Sequence, residues 1–261
     1  MSSFGVIFFF GGKNMNENFD AFDEFVMSYD MNVDMIGFKY NHSYRTVHQA
    51  EEIARSLNLS EEDKELASFI ALTHDVARFR QWTDYKTFDD FNSFDHGDEG
   101  VKILFDEGEI EKYNVSEEDY SIIKNAIKFH NKLLLDETGL SEREILHSKI
   151  IRDADKIDII YSFSTQRLLE IESDDSEISE KVIESIKKHE LINKIDVVTK
   201  NDRIIMELGL VYDLNFDYSI RKIYEENYLG KMVDSFSNKE LFMPYLNEIN
   251  EYMKGRIENA R

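Results

Sequence analysis

The sequence predicts an all-α protein, on three observations. Pro244 is its one proline and glycines number only eleven in 261 residues, so residues that interrupt helices are scarce. Apolar residues recur mostly at spacings of three and four, the period of a helix with one buried face. Finally, a Ser or Thr followed three residues later by an acid stands before several of the apolar runs: Ser60 and Asp63, Ser116 and Asp119, Ser141 and Glu144, Thr199 and Asp202. In that pattern the hydroxyl and the carboxylate satisfy backbone amides that the first turn of a helix leaves unpaired.

The spacing places helices over 16–30, 41–57, 61–79, 95–107, 117–132, 142–172, 176–189, 201–213, 216–228 and 237–257. In the third, the apolar stripe runs through positions 66, 69, 70, 73 and 77. In the eighth, Ile204, Ile205, Leu208, Val211 and Tyr212 share one helical face better than one strand face. Pro244 suits the opening turn of the last helix. One connection stands apart: residues 80–94 carry Trp82, Tyr85, Phe88, Phe91 and Phe94, too many rings for a disordered loop, and they read as packing over the core or as a pocket wall. No internal repeat, long linker or low-complexity tract divides the chain. The expected organisation is an N-terminal extension over 1–15 and a single helical domain over 16–261, with residues 166–261 packed as a cap.

Composition narrows the partners. Fifty-three Asp and Glu against thirty-one Lys and Arg give a formal charge of −22, which repels nucleic-acid polymers and anionic membranes. A small phosphorylated molecule remains acceptable to a local basic pocket, and a homodimer stays open. The absence of cysteine removes disulfides and thiolate metal sites. No run is long and apolar enough to span a bilayer. The apolar start, Phe4 to Phe10, lacks a basic flank and a small-residue cleavage site, so a cytoplasmic location is expected.

The chemistry concentrates around one dipeptide. His74 falls on the buried face of the third helix with Asp75 one step around, and two ionisable groups at a core edge are costly unless paired or bound to metal. His42 lies at the start of the second helix, His96 follows the aromatic stretch, His130 ends a helix, and Asp155 lies in the run Arg152-Asp153-Ala154-Asp155-Lys156. In this order the residues resemble the HD superfamily of metal-dependent phosphohydrolases, over about residues 41–165. The resemblance implies an HD-type helical bundle in which His42, His74, Asp75 and Asp155 form the shared metal site. His96 and His130 match the additional ligands of the binuclear members, and Asp75 is the bridging carboxylate. Imidazole and carboxylate donors without sulfur suit one or two divalent ions, Fe, Mn, Zn, Ni, Co or Mg. Asp153 and Asp158 are candidates to orient ligand histidines. His48, His147 and His189 match no family position and read as surface or helix-face residues.

An anionic substrate needs cations nearby. Three or four residues from the six ligands stand Lys39, Arg45, Arg78 and Arg152 against Glu99 and Asp158, a reversal of the chain-wide sign. Arg78 and Lys156 also occupy places where relatives carry phosphate-contacting cations, so with Asp75 they are the expected catalytic residues. The paired Glu-Asp of the alarmone hydrolases and the Gly-Tyr-Pro of the cyclic-dinucleotide phosphodiesterases are absent. The pattern therefore implies a hydrolase of a nucleotide or other small phosphorylated metabolite. It also resembles the di-iron myo-inositol oxygenases, and a non-catalytic nucleotide-binding regulator on the same scaffold is the third reading.

Overall fold

The computed structural model describes residues 13–165 and 172–259. Among them there is no strand, and the chain is a bundle of helices: α1 Lys13–Met27, α2 Asp34–Ser56, α3 Glu61–Thr73, α4 Val76–Tyr85, α5 His96–Val101, α6 Tyr120–Phe129, α7 Glu142–Thr165, α8 Glu180–Lys188, α9 Lys200–Leu208, α10 Asp217–Glu225, α11 Tyr228–Asp234 and α12 Met243–Asn259. Of the expected N-terminal extension, residues 1–12 lie outside the described residues; α1 begins at Lys13, and Met15 is buried in the core.

The four Ser/Thr signals act with different completeness. Thr199 with Asp202 and Ser141 with Glu144 make the full reciprocal cap. Ser60 accepts only from the Asp63 amide, and Ser116 accepts from Glu118 at the head of a 3₁₀ turn. The turn between α2 and α3 is closed by Asn58 at φ 53°, a left-handed conformation that asparagine tolerates. These two helices lie together, and α7 packs on α2 and α6, so the long helix is the central member. One apolar cluster runs from Met15 through Phe22, Phe69, Ile123 and Ile151 to Ile257, joining the first half of the chain to the last.

Several boundaries differ from the spacing-based expectation. The helix expected over 41–57 begins at Asp34, carries Gly37 inside it, and places His42 two turns from its start. The helix expected over 61–79 is two helices. It breaks at His74 and Asp75, where Asp75 leaves helical geometry at φ −108°, ψ 20°. The stretch expected as a loop from residue 80 stays helical to Tyr85, because no breaker intervenes before Lys86 turns left-handed. Helix α11 was not anticipated, and α7 is described only to Thr165 of its expected 142–172. His147, expected on the surface or on a helix face, lies on α7, where it is buried and hydrogen-bonds Asp63 across 3.1 Å.

Two polar ties hold the bundle around the later site. Arg152 on α7 is 1% exposed. Its guanidinium donates to the carbonyls of Phe129 and Lys132, both at 2.7 Å, and to Asp213 at 2.6 Å. It thereby satisfies carbonyls that the end of α6 leaves without intrahelical partners. Asp153, one residue on, accepts the amides of Asn215 and Phe216. Replacing Arg152 by Met should cost on the order of 3 kcal/mol in chemical denaturation, because buried carbonyls lose their donor.

A second measurement concerns acid. Burial raises the Asp63 pKa, but Arg143, His147 and Ser60 outweigh it and bring it from 3.8 to about 2. A carboxylate depressed in the fold contributes stability above its unfolded pKa and loses it as pH falls through the folded value. The Asp63→Asn variant should therefore show a shallower fall in Tm between pH 4 and pH 2 than the parent chain.

Candidate metal centre

The break between α3 and α4 is the first positioning device. Asp75 stands at the head of α4, and its carboxylate does not cap that helix, so both oxygens remain free to face inward. Each histidine is then oriented by its Nδ1. His74 and His130 are the residues that end α3 and α6, and each places Nδ1 against the carbonyl three residues earlier, Ala71 at 2.7 Å and Ile127 at 2.6 Å. Those carbonyls lie in final helical turns, where partners are lacking, so one contact satisfies the backbone and turns Nε2 outward. His42, on α2, sets Nδ1 against Asp158 at 2.7 Å, and His96, the first residue of α5, sets Nδ1 against Asp90 at 2.6 Å. With carbonyls and carboxylates as acceptors, Nδ1 of each ring is assigned a proton, and Nε2 is the atom each ring turns to the centre.

The four Nε2 atoms meet in two pairs. Those of His42 and His74 are 3.3 Å apart, and those of His96 and His130 are 3.0 Å apart. Asp75 lies between the pairs: Oδ2 is 3.4 and 3.5 Å from the first, and Oδ1 is 3.6 Å from each member of the second. Asp155 on α7 joins the first pair, with Oδ1 3.1 Å from His42. Two imidazole nitrogens at such distances repel unless a proton or a metal ion stands between them. The donor set could therefore hold a divalent metal: His42, His74 and Asp75 cluster, as do Asp75, His96 and His130, and His74, His130 and Asp155 cluster across the two pairs. Gly97 permits the second pair, since a Cβ there would lie 2.7 Å from Asn131 Oδ1 and 2.9 Å from the Lys128 carbonyl.

The electrostatics favour a cation at the same place. Burial disfavours the charged carboxylates, yet Lys39 and His74 hold Asp75 well below its usual range, and hydrogen bonds from His42 and His74 do the same for Asp155. Burial and Lys39 push the His42 pKa down, but Asp155, Asp158 and Asp75 outweigh them and raise it to about 10. The field that draws a proton to this ring would draw a metal ion. His96 is pushed down to about 3 by burial and by Arg78, and burial lowers His130, so the second pair stays neutral, the form that ligates.

The structure thus brings all six expected ligand residues together. Of the two candidates to orient a ligand, Asp158 holds His42, whereas Asp153 ties α7 to the later chain. Arg78 lies 3.6 Å from Asp75 Oδ1, and its Nη1 is engaged by Asp90 and the Phe88 carbonyl. Lys156 pairs with Asp213 at 2.6 Å. Lys39 stands closest to the centre, its Nζ 2.6 Å from Asp75 Oδ2. Arg45 is spent on Asp158 and Glu99 on Arg80. Sequence reasoning missed Asp90, which gathers His96, Arg78, Gln81 and Asn131. No local pattern distinguishes it from Asp89; only its place in the aromatic stretch hinted at a role.

A cavity of about 640 Å³ opens over the centre, and Lys39, Arg78 and Lys156 lie in its wall with Phe38, Phe88 and Phe91. The aromatic stretch is therefore a pocket wall at Phe88 and Phe91, while Trp82 and Tyr85 belong to α4 and Phe94 packs against the core. If Asp158 orients His42, then Asp158→Asn should weaken metal binding 10- to 100-fold in a competitive chelator titration while circular dichroism changes little.

Residues 40–160 match the family model described as HD domain. No curated protein and no solved structure matches the chain. Among the described residues no helix is long and apolar enough to cross a membrane. The six clustered residues all lie inside the segment that matches the HD domain, so the site and the family match fall on the same stretch of chain.

Proposed function

We propose that the protein is a metal-dependent phosphohydrolase acting on a nucleotide or another small phosphorylated metabolite. The observation that carries this reading is the Asp75 carboxylate, which turns one oxygen toward each histidine pair, beside a cavity that His42, His96, His130 and Asp155 line together with Lys39, Arg78 and Lys156. The chemistry that divalent ions supply in such a set is Lewis-acid polarisation of a phosphoryl group and a lowered pKa for water.

The remaining work falls to the chain. Lys39, free to exchange Asp75 for a stronger anion, receives a phosphate oxygen. Lys156 adds positive charge from α7, while Asp213 fixes its head. Arg78 acts at one remove. It neutralises Asp75 and, through the Phe88 carbonyl and Asp90, holds the aromatic wall that limits water and keeps His96 turned inward. Fixed donors of this kind stabilise developing negative charge without reorganising.

A second reading, a di-iron oxygenase, is favoured by the nitrogen-rich set of four imidazoles to two carboxylates. Oxygen consumption on a diol or hydroxyphosphonate would establish it, and phosphate release without oxygen discards it. For the leading reading, element-resolved metal analysis should find one or two divalent ions per chain. Asp75→Ala should lower that content and reduce phosphate release from a generic phosphate ester at least 100-fold with helix content retained. Full metal loading and turnover in that variant would overturn the assignment.

A further inference from the structure

The cavity has a second end, built by chain beyond the matched segment. Leu191, Ile192, Met206 and Leu210 form apolar walls there, and Glu207 stands among them. Glu207 is 8% exposed, and no described residue hydrogen-bonds or ion-pairs with its carboxyl group. The contrast with its own helix is informative. On α9, buried Asp202 accepts the amides of Ser179, Val198 and Thr199, and buried Asn201 bonds the carbonyls of Asp174 and Ser176. The fold therefore satisfies its structural polar groups in this helix and leaves Glu207 facing the cavity. Burial pushes its pKa up to about 7, against the nearby cations Arg203 and Lys194. A carboxyl group so placed costs stability unless a ligand completes it.

The surroundings select the ligand group. An aliphatic ammonium would meet Arg203 and Lys194. A bare sugar would leave hydroxyls against Leu191, Ile192, Met206 and Leu210. A flat heterocycle has apolar faces for these walls and adjacent N–H and acceptor atoms along one edge for the carboxyl group. We infer that Glu207 is the specificity-determining residue of a distal subsite that binds the amide or amidine edge of a heterocyclic ring. The inference rests on the phosphohydrolase reading only in placing a phosphate at the other end of the same substrate.

The test uses molecules that carry no phosphate. The full chain as purified is titrated calorimetrically with adenosine, guanosine, cytidine and uridine, with ribose as the control. At least one nucleoside should bind tenfold or more tightly than ribose, and Glu207→Leu should abolish that preference while raising Tm, because an unpaired buried carboxyl group has been removed. A preference that is absent in the parent chain or survives in Glu207→Leu overturns the inference, and so does a lower Tm, which would mark a structural role. Should the leucine variant fail to fold, Glu207→Gln, with its fixed donor and acceptor, must change the order of the four affinities by at least threefold; an unchanged order overturns the inference. Phosphate release from the corresponding nucleotides is measured separately, so failure of the hydrolase reading and failure of the subsite are distinguishable.

Discussion

The structure depends on keeping the Asp75 carboxylate charged inside the protein. A buried carboxylate demands compensation, and nearly every polar decision nearby answers that demand. The helix breaks beside it, so that its oxygens are not consumed as a cap. Lys39 reaches it from α2, Arg78 from α4, and two pairs of imidazoles converge on its opposite oxygens. Backbone carbonyls and two further carboxylates fix those imidazoles from behind. The centre is preorganised because its orientation is enforced by ordinary helix-end chemistry.

The clustered histidines and aspartates were legible in the sequence because they form an ordered set of rare types against a helical background, and the family match covers the same stretch. The helical class was legible for a simpler reason, the scarcity of proline and glycine. What could not be read depended on distance along the chain. His147 looked peripheral because its partner Asp63 is 84 residues away. Arg152 looked like a cation near a ligand, yet its guanidinium serves carbonyls 20 and 23 residues earlier and an aspartate 61 residues later. The break at His74 and Asp75 was hidden because the apolar stripe continues in register through it. Glu207 is one acid among 53 Asp and Glu, and only the cavity singles it out.

The acidic composition and the character of the pocket are separate properties of this chain. Surface carboxylates set the net charge, whereas the cavity wall gathers Lys39, Arg78, Lys156, Lys194 and Arg203. The same wall holds Asp90, Asp95, Asp155 and Glu207, so the charge of the cavity does not follow that of the surface.

The ties from α7 to residues 213–216 bear on how such a domain diversifies. Arg152 and Lys156 share Asp213, and Asp153 holds Asn215 and Phe216, on both sides of the ligand Asp155. The helix that carries Asp155 is thus a beam common to the half that gathers the six clustered residues and the half that shapes the far wall. Insertions or exchanges between residues 172 and 212 can remodel what the cavity accepts while those anchors hold the ligand in place. Changes at 213–216 would instead be felt at Asp155. The matched segment therefore holds the clustered residues, and anchors some fifty residues beyond it support them mechanically.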